Sequence, residues 1–206
     1  MKRVLFSLAI LSSGLVLMSS CASFKAERVS AKESDEKALN ITDQWLSKDT
    51  EDAVTEIMKA IDENKGLKDY IREKGKRPAV FIGEVQNDTS EAYFPIDDFN
   101  DELLNAFTTS GDFVLVDATA RENILKEITY QNDGMVDPKS AKSIGKQTGA
   151  DAIIYGAIRM RPATRDGKTI KEYSINIHMT DIEKGTEIMR ARAKSFKYSE
   201  QSKSGW

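Results

Sequence analysis

The chain has 206 residues, with 30 Lys+Arg, 33 Asp+Glu, one histidine, one cysteine and a formal net charge of −3. That length supports one domain with a substantial core beside an export signal. A lone cysteine excludes an intramolecular disulfide and a multi-cysteine metal or redox centre, and the acidic balance argues against general nucleic-acid binding. Charge is unevenly spread: residues 151–206 hold 11 basic and 7 acidic side chains, whereas residues 21–150 hold 17 and 26. A polarised surface is expected.

Lys2 and Arg3 precede an apolar run from Val4 to Met18, interrupted by Ser7, Ser12, Ser13 and Gly14 and closed by Ser19-Ser20-Cys21. The run is shorter than the ~20 residues a bilayer-spanning helix needs and has the layout of a secretory signal. Small residues ahead of the single cysteine resemble the lipobox of bacterial lipoproteins, although Met18 stands where leucine is usual. The resemblance implies a signal peptide over residues 1–20 and Cys21 as a lipidated mature N-terminus, with no free thiol. An ordinary signal peptide followed by a thiol is the alternative. Residues 21–39 are polar and charged, without apolar periodicity, and are expected to form a flexible tether. Fully extended, the 16 residues Ala22 to Lys37 reach ~50 Å.

A single domain is expected over residues 40–198. Ala53, Val54, Ile57, Met58 and Ile61 share a helical face behind an N-cap at Asp49 or Thr50, and Trp45 just before them is placed to pin that helix to the core. Gly66 interrupts, and Leu67, Tyr70 and Ile71 mark a second short helix ended by Gly75. Pro78 to Val85 reads as a strand, Gln86 to Ser90 as a polar turn, and Phe99, Leu103, Leu104 and Phe107 as the apolar stripe of a helix closed by Gly111. Phe113 to Asp117 reads as a buried strand. A capping box at Thr119 and Glu122 opens a further helix, and Asp137-Pro138 starts another that Gly149 stops. Asp151 to Met160, Thr169 to Ile182 and a last segment through Phe196 read as strands joined by turns at Asp166-Gly167 and Glu183-Lys184-Gly185. The expected fold is α+β: a mixed sheet of about four to five strands flanked by helices and ending in an antiparallel meander, with a frayed tail over residues 199–206.

Taken together, Trp45, Val80-Phe81-Ile82 running into Asn87-x-Thr89, Leu103-x-x-Ala106, Gly111-x-Phe113-x-Leu115-Val116, Gly149-Ala150-Asp151-x-x-x-Tyr155 and Thr186-Glu187-Ile188 resemble the LpoB family. The resemblance spans roughly residues 40 to 197. It implies a domain like the N-terminal domain of TolB on an outer-membrane lipid anchor, facing the periplasm. It further implies a non-enzymatic monomer, without cofactor, that binds and stimulates a class A penicillin-binding protein, a peptidoglycan synthase. Ala22 and Ser23 lack the aspartate that commonly retains lipoproteins in the inner membrane. The chain departs from the family in having no proline between Cys21 and Pro78, where the family carries a long proline-rich linker. An envelope scaffold, or a secretion-assembly lipoprotein of the CsgG domain type, is the alternative.

The remaining candidates point to binding. His178, on the polar phase of a strand, has no second histidine or thiol to share a metal with. Asp97, Asp98, Asp101 and Glu102 suit a helix N-terminus better than a metal. Gly145-Lys146 lacks a glycine-rich loop before it and is not a phosphate cradle. Arg190, Arg192 and Lys194 share one phase of the last strand while Met189, Ala191 and Ala193 take the other, so a basic face is expected, widened by Arg159 and Arg161. A solvated sheet face, or an edge protected by charge, is the plainer reading of it; an electrostatic patch for an acidic partner domain or for anionic cell-wall polymer is the functional one. By the resemblance, Tyr155 falls on the partner-binding face; a core aromatic at a strand end is the alternative. Metabolic labelling with a clickable palmitate is expected to mark the wild type and not Cys21→Ala; an unlabelled wild type rejects the anchor.

Overall fold

The computed structural model describes residues 26–116 and 149–201. Along the chain these form α1 (Ala31–Ala38), α2 (Ser47–Asp62), α3 (Lys65–Lys74), β1 (Ala79–Asp88), α4 (Ile96–Ser110), β2 (Val114–Leu115), β3 (Ala152–Arg165), β4 (Lys168–Asp181) and β5 (Glu187–Glu200). The expected helices from Thr119 to Thr148 lie outside the described residues, as does the lipobox. The five strands make one sheet in the order β2-β1-β3-β4-β5. β1 runs parallel to both neighbours, and β3, β4 and β5 form an antiparallel meander. This is the expected mixed α+β sheet.

Helices α2, α3 and α4 cover one face of the sheet. Ala53, Val54, Ile57 and Ile61 of α2, Leu67 and Tyr70 of α3, and Phe99, Leu103 and Phe107 of α4 bury the stripes their spacing indicated. They pack on Val80, Ile154, Ile158, Ile175, Ile177 and Met179 of the sheet. A smaller cluster of Phe81, Ala150, Ile153 and Ile182 occupies the opposite face, with Tyr155 against it.

Several boundaries differ from expectation, each for a physical reason. The tether contains α1, an exposed helix capped by Ser30, whose hydroxyl oxygen accepts from Glu33 N–H at 3.3 Å. Helix α2 begins two residues ahead of Asp49, whose carboxylate reaches back to accept from Leu46 N–H at 2.8 Å. Gly66 lies inside α3, where a Cβ would come within 2.6 Å of the Ile188 carbonyl oxygen, so its role is close approach to β5. Of the strand expected over Phe113 to Asp117, the described residues show the two-residue edge strand β2, in which Val114 is exposed rather than buried while Phe113 before it is in the core.

The meander is longer than expected. β3, β4 and β5 each have 14 residues, and the first turn narrows to Asp166-Gly167. Among the described residues no strand pairs with the outer edge of β3 beyond Arg159, so Pro162, lacking an N–H, is accommodated. β5 runs past Phe196 to Glu200, so Ser199, assigned to the tail, is part of the sheet. This three-stranded arm projects beyond β1.

On the helix side of the arm, a polar cluster holds the entering chain. Lys171 Nζ donates to Asp43 Oδ1 at 2.9 Å and to Glu91 Oε1 at 2.8 Å, and Tyr173 Oη donates to the same Glu91 oxygen at 2.8 Å. Asp43 also accepts from the Ser199 hydroxyl at 2.6 Å, and Lys197, almost fully buried, pairs with Asp49 at 2.6 Å. Trp45 completes the seat as the sequence indicated: its indole N–H donates to Thr50 at 2.8 Å, and its ring meets Tyr173 edge-on at 4.9 Å and Phe94 at 5.2 Å.

The hydrogen bond from Ser199, then Lys171, holds the Asp43 carboxyl below its ordinary pKa. Burial alone would lower the Lys171 pKa, but Glu91 and Asp43 outweigh it and the net shift is upward. Asp43 therefore stabilises the fold above its unfolded pKa of 3.8, and that contribution is lost as pH falls through its lower folded value. Lys171 contributes fully below its unfolded value of 10.5 and loses the contribution as pH rises through its higher folded value.

Two predictions arise from this packing. Gly156→Ala would put a Cβ 2.3 Å from the Asn176 carbonyl oxygen and 2.7 Å from Ile177 Cδ1, and urea titration is expected to show a loss of about 2 kcal/mol or more. Lys171→Met leaves two largely buried carboxylates without their cation, and should cost about 3 kcal/mol near neutrality. Because the variant has lost the Asp43–Lys171 pair, its stability should fall less steeply than that of the wild type as pH drops below about 4.

Candidate interaction face

Alternation along the meander sends every second side chain to the face opposite the helices. Cross-strand register aligns these side chains in rows. Tyr155 lies opposite His178, and His178 opposite Arg190; Asn176 separates Ala157 from Arg192; Ser174 separates Arg159 from Lys194; Glu172 separates Arg161 from Phe196. The predicted residues Tyr155, Arg190, Arg192 and Lys194 are therefore brought together on one face, with Arg159 and Arg161 widening it.

Much of the charge on this face is already balanced. Glu187 accepts from Arg190 Nε at 3.1 Å and from its terminal nitrogen at 2.9 Å, and it also lies 3.1 Å from His178 Nδ1. These contacts, that from Arg190 foremost, hold the Glu187 carboxyl below its usual range. Lys194 pairs with Glu172 across the strands, and Arg159 lies 3.4 Å from Asp88. Arg192 instead donates to the neutral Asn176 amide oxygen at 2.9 Å, whereas Arg161, opposite Glu172, adds its charge to that of Lys194 in lowering the Glu172 pKa. Arg192 is thus the cation nearest the centre of the face whose charge remains available.

Tyr155 has one side against the core and the other on the open face. It is partly buried against the smaller core cluster, while its ring stacks on His178 with centroids 5.4 Å apart and planes 12° from parallel. Its hydroxyl lies 3.4 Å from that of Thr180. His178, read from the sequence as a solvated strand residue, is in fact the link between Tyr155 and Glu187; only the cross-strand register reveals this. Among the described residues no three His, Cys, Asp or Glu side chains form a group able to hold a metal ion. The face has the chemistry of a binding surface: a half-buried aromatic pair, a bidentate Arg–carboxylate clamp and one guanidinium, that of Arg192, bonded only to a neutral amide.

The family model described as peptidoglycan-synthase activator LpoB matches residues 49–193. The chain belongs to the LpoB family. Among solved structures it is similar to the LpoB C-terminal domain from Salmonella enterica, with 14% identity and a TM-score of 0.48, covering 71% of this chain and 98% of that one. The LpoB C-terminal domain from Escherichia coli gives 15% identity and a TM-score of 0.45, covering 74% and 99%. Lipoprotein GNA1162 from Neisseria meningitidis gives 15% and 0.46, covering 62% and 88%. No curated protein matches the sequence. At family level the LpoB assignment supports a lipoprotein that activates a peptidoglycan synthase rather than an enzyme. The match includes all of the candidate residues Tyr155, Arg190 and Arg192 but ends one residue before Lys194.

Proposed function

We propose that this chain is an outer-membrane lipoprotein, anchored through Cys21 and facing the periplasm, that binds a class A penicillin-binding protein and stimulates its synthesis of peptidoglycan. Membership of the activator family carries the reading. The open face of the meander supports it, since a site made of one stacked aromatic pair and fixed cations can dock a partner but offers no nucleophile with an adjacent base. In this proposal Tyr155 and Arg192 form the centre of the contact, with Arg190 and Lys194 beside them and an acidic surface on the synthase opposite. The protein acts as a monomer and needs no cofactor.

The proline-free tether limits where the contact occurs. With α1 folded, residues 31–38 span about 12 Å instead of the ~27 Å of an extended strand of equal length. The synthase must therefore be met close to the anchored membrane. Arg190→Glu with Arg192→Glu should abolish both binding and the stimulation of glycan polymerisation by a class A synthase while leaving thermal unfolding within a few degrees of wild type. Unchanged binding to every class A synthase would reject the face, and absence of stimulation by the wild type would favour a scaffold.

A further inference from the structure

The meander arm ends in a pole where exposed apolar side chains collect. Ile170 lies directly across from Tyr198, and Phe196 follows two residues away on the same face; these are 48%, 59% and 61% exposed. Lys171, adjacent to Ile170, binds both Asp43 and Glu91 and so brings two other segments to the same pole. Those segments carry Leu39, Ile41 and Tyr93, which are 61%, 84% and 92% exposed. Six of the eight large exposed hydrophobics among the described residues thus gather at one end of the domain, and Val114 belongs to the strand β2 at the other. Scattered single hydrophobics are ordinary on a protein surface, whereas a cluster on one pole marks an interaction site.

We propose that this pole rests on the lipid surface at the level of the phospholipid headgroups. The inference rests on the lipid-anchor reading above, and the route of the chain favours a membrane over other occupants. The N-terminal segment reaches the domain at Asp43, which is fixed to Lys171 and Ser199 at this same pole. An acyl chain on Cys21 would hold the pole within about 60 Å of the bilayer, counting α1 as helix and the rest as extended chain. Such tethering makes the surface contact effectively intramolecular, so a weak contact is enough. The side chains suit the location, because tyrosine and phenylalanine beside lysine and arginine are the residues of a bilayer interface.

Charge at the pole is largely matched: Lys168 pairs with Glu200 at 3.5 Å, Arg165 with Asp166 at 3.6 Å, and Lys194 with Glu172. The contact is therefore apolar and aromatic in origin, and it should vary little with salt or with the fraction of anionic lipid.

The test uses the acylated protein in phosphatidylethanolamine–phosphatidylglycerol vesicles, with an environment-sensitive NBD label at Tyr198→Cys or, in a second variant, at Arg72→Cys. Arg72 is exposed on α3, whose Lys74 lies by Asp151 at the far end of β3. The label at position 198 is expected to shift to the blue and to be quenched several-fold more strongly by doxyl-labelled lipid than the label at 72. Equal quenching at the two positions overturns the proposal. So does a blue shift at 198 that follows protein concentration without lipid, which would assign the pole to a second copy. The same labels are then read in a Cys21→Ser chain held at residue 21 by a hexahistidine tag on nickel-chelating lipid. Quenching at 198 in that form, together with no fatty acid on the native protein, would remove the acyl anchor and leave the pole contact standing.

Discussion

The Lys171 ammonium, held between Asp43 and Glu91 with Tyr173 on the same carboxylate, is the contact on which the arrangement of this domain depends. Coulomb attraction here is offset by the cost of removing three charges from water, so the cluster adds less to stability than its short distances suggest. Its effect is geometric. It fixes where the chain enters the domain, closes the loop between β1 and α4, and holds Trp45 against Tyr173 and Phe94. It is joined there by the Lys197–Asp49 pair and the Ser199–Asp43 bond, which tie β5 to the same entering segment.

What could be read from the sequence was what periodicity encodes. The stripes of α2 and α4, the glycine stops at Gly75 and Gly111, and the two-residue alternation from Tyr173 to Met179 each express a local rule, and each appears in the structure. What escaped depends on partners distant in sequence. The register shift between Ile82 and Val85 is an example. Asn100 of α4 accepts from Val85 N–H at 2.8 Å and donates to Val85 C=O at 3.2 Å, satisfying the backbone where the ladder is interrupted. No local pattern announces that an asparagine in a helix will complete a strand. The length of the arm was hidden for a similar reason, since Pro162 looks like a terminus until β3 is seen to have no neighbour on that edge among the described residues.

The candidate face was half legible. Alternation alone puts Arg190, Arg192 and Lys194 on one side, and the structure agrees. Which of these charges remains free is a question of cross-strand pairing, and the answers differ: Glu187 satisfies Arg190, Glu172 satisfies Lys194, and Asn176 leaves Arg192 its charge. Tyr155 and Tyr198 lie on the same face, eight residues apart by register or about 27 Å of strand, with Lys194 and Phe196 in the rows between them. The candidate face and the exposed apolar side chains of the arm therefore adjoin along one surface.

The cluster around Lys171 also sets an order of assembly. Asp43 is separated from Lys171 by 128 residues and from Ser199 by 156, so the segment that holds the domain's entry leaves a ribosome or an export channel well before the partners that fix it. Closing so long a loop is entropically costly until the β3–β4–β5 hairpins, whose contacts are local, have formed. Until then Trp45 lacks Tyr173, and the part of α2 that meets β5 has no strand to pack on. For a newly emerged chain, the vulnerable interval lasts until the final strand is delivered, and that interval is when a chaperone would have most to do.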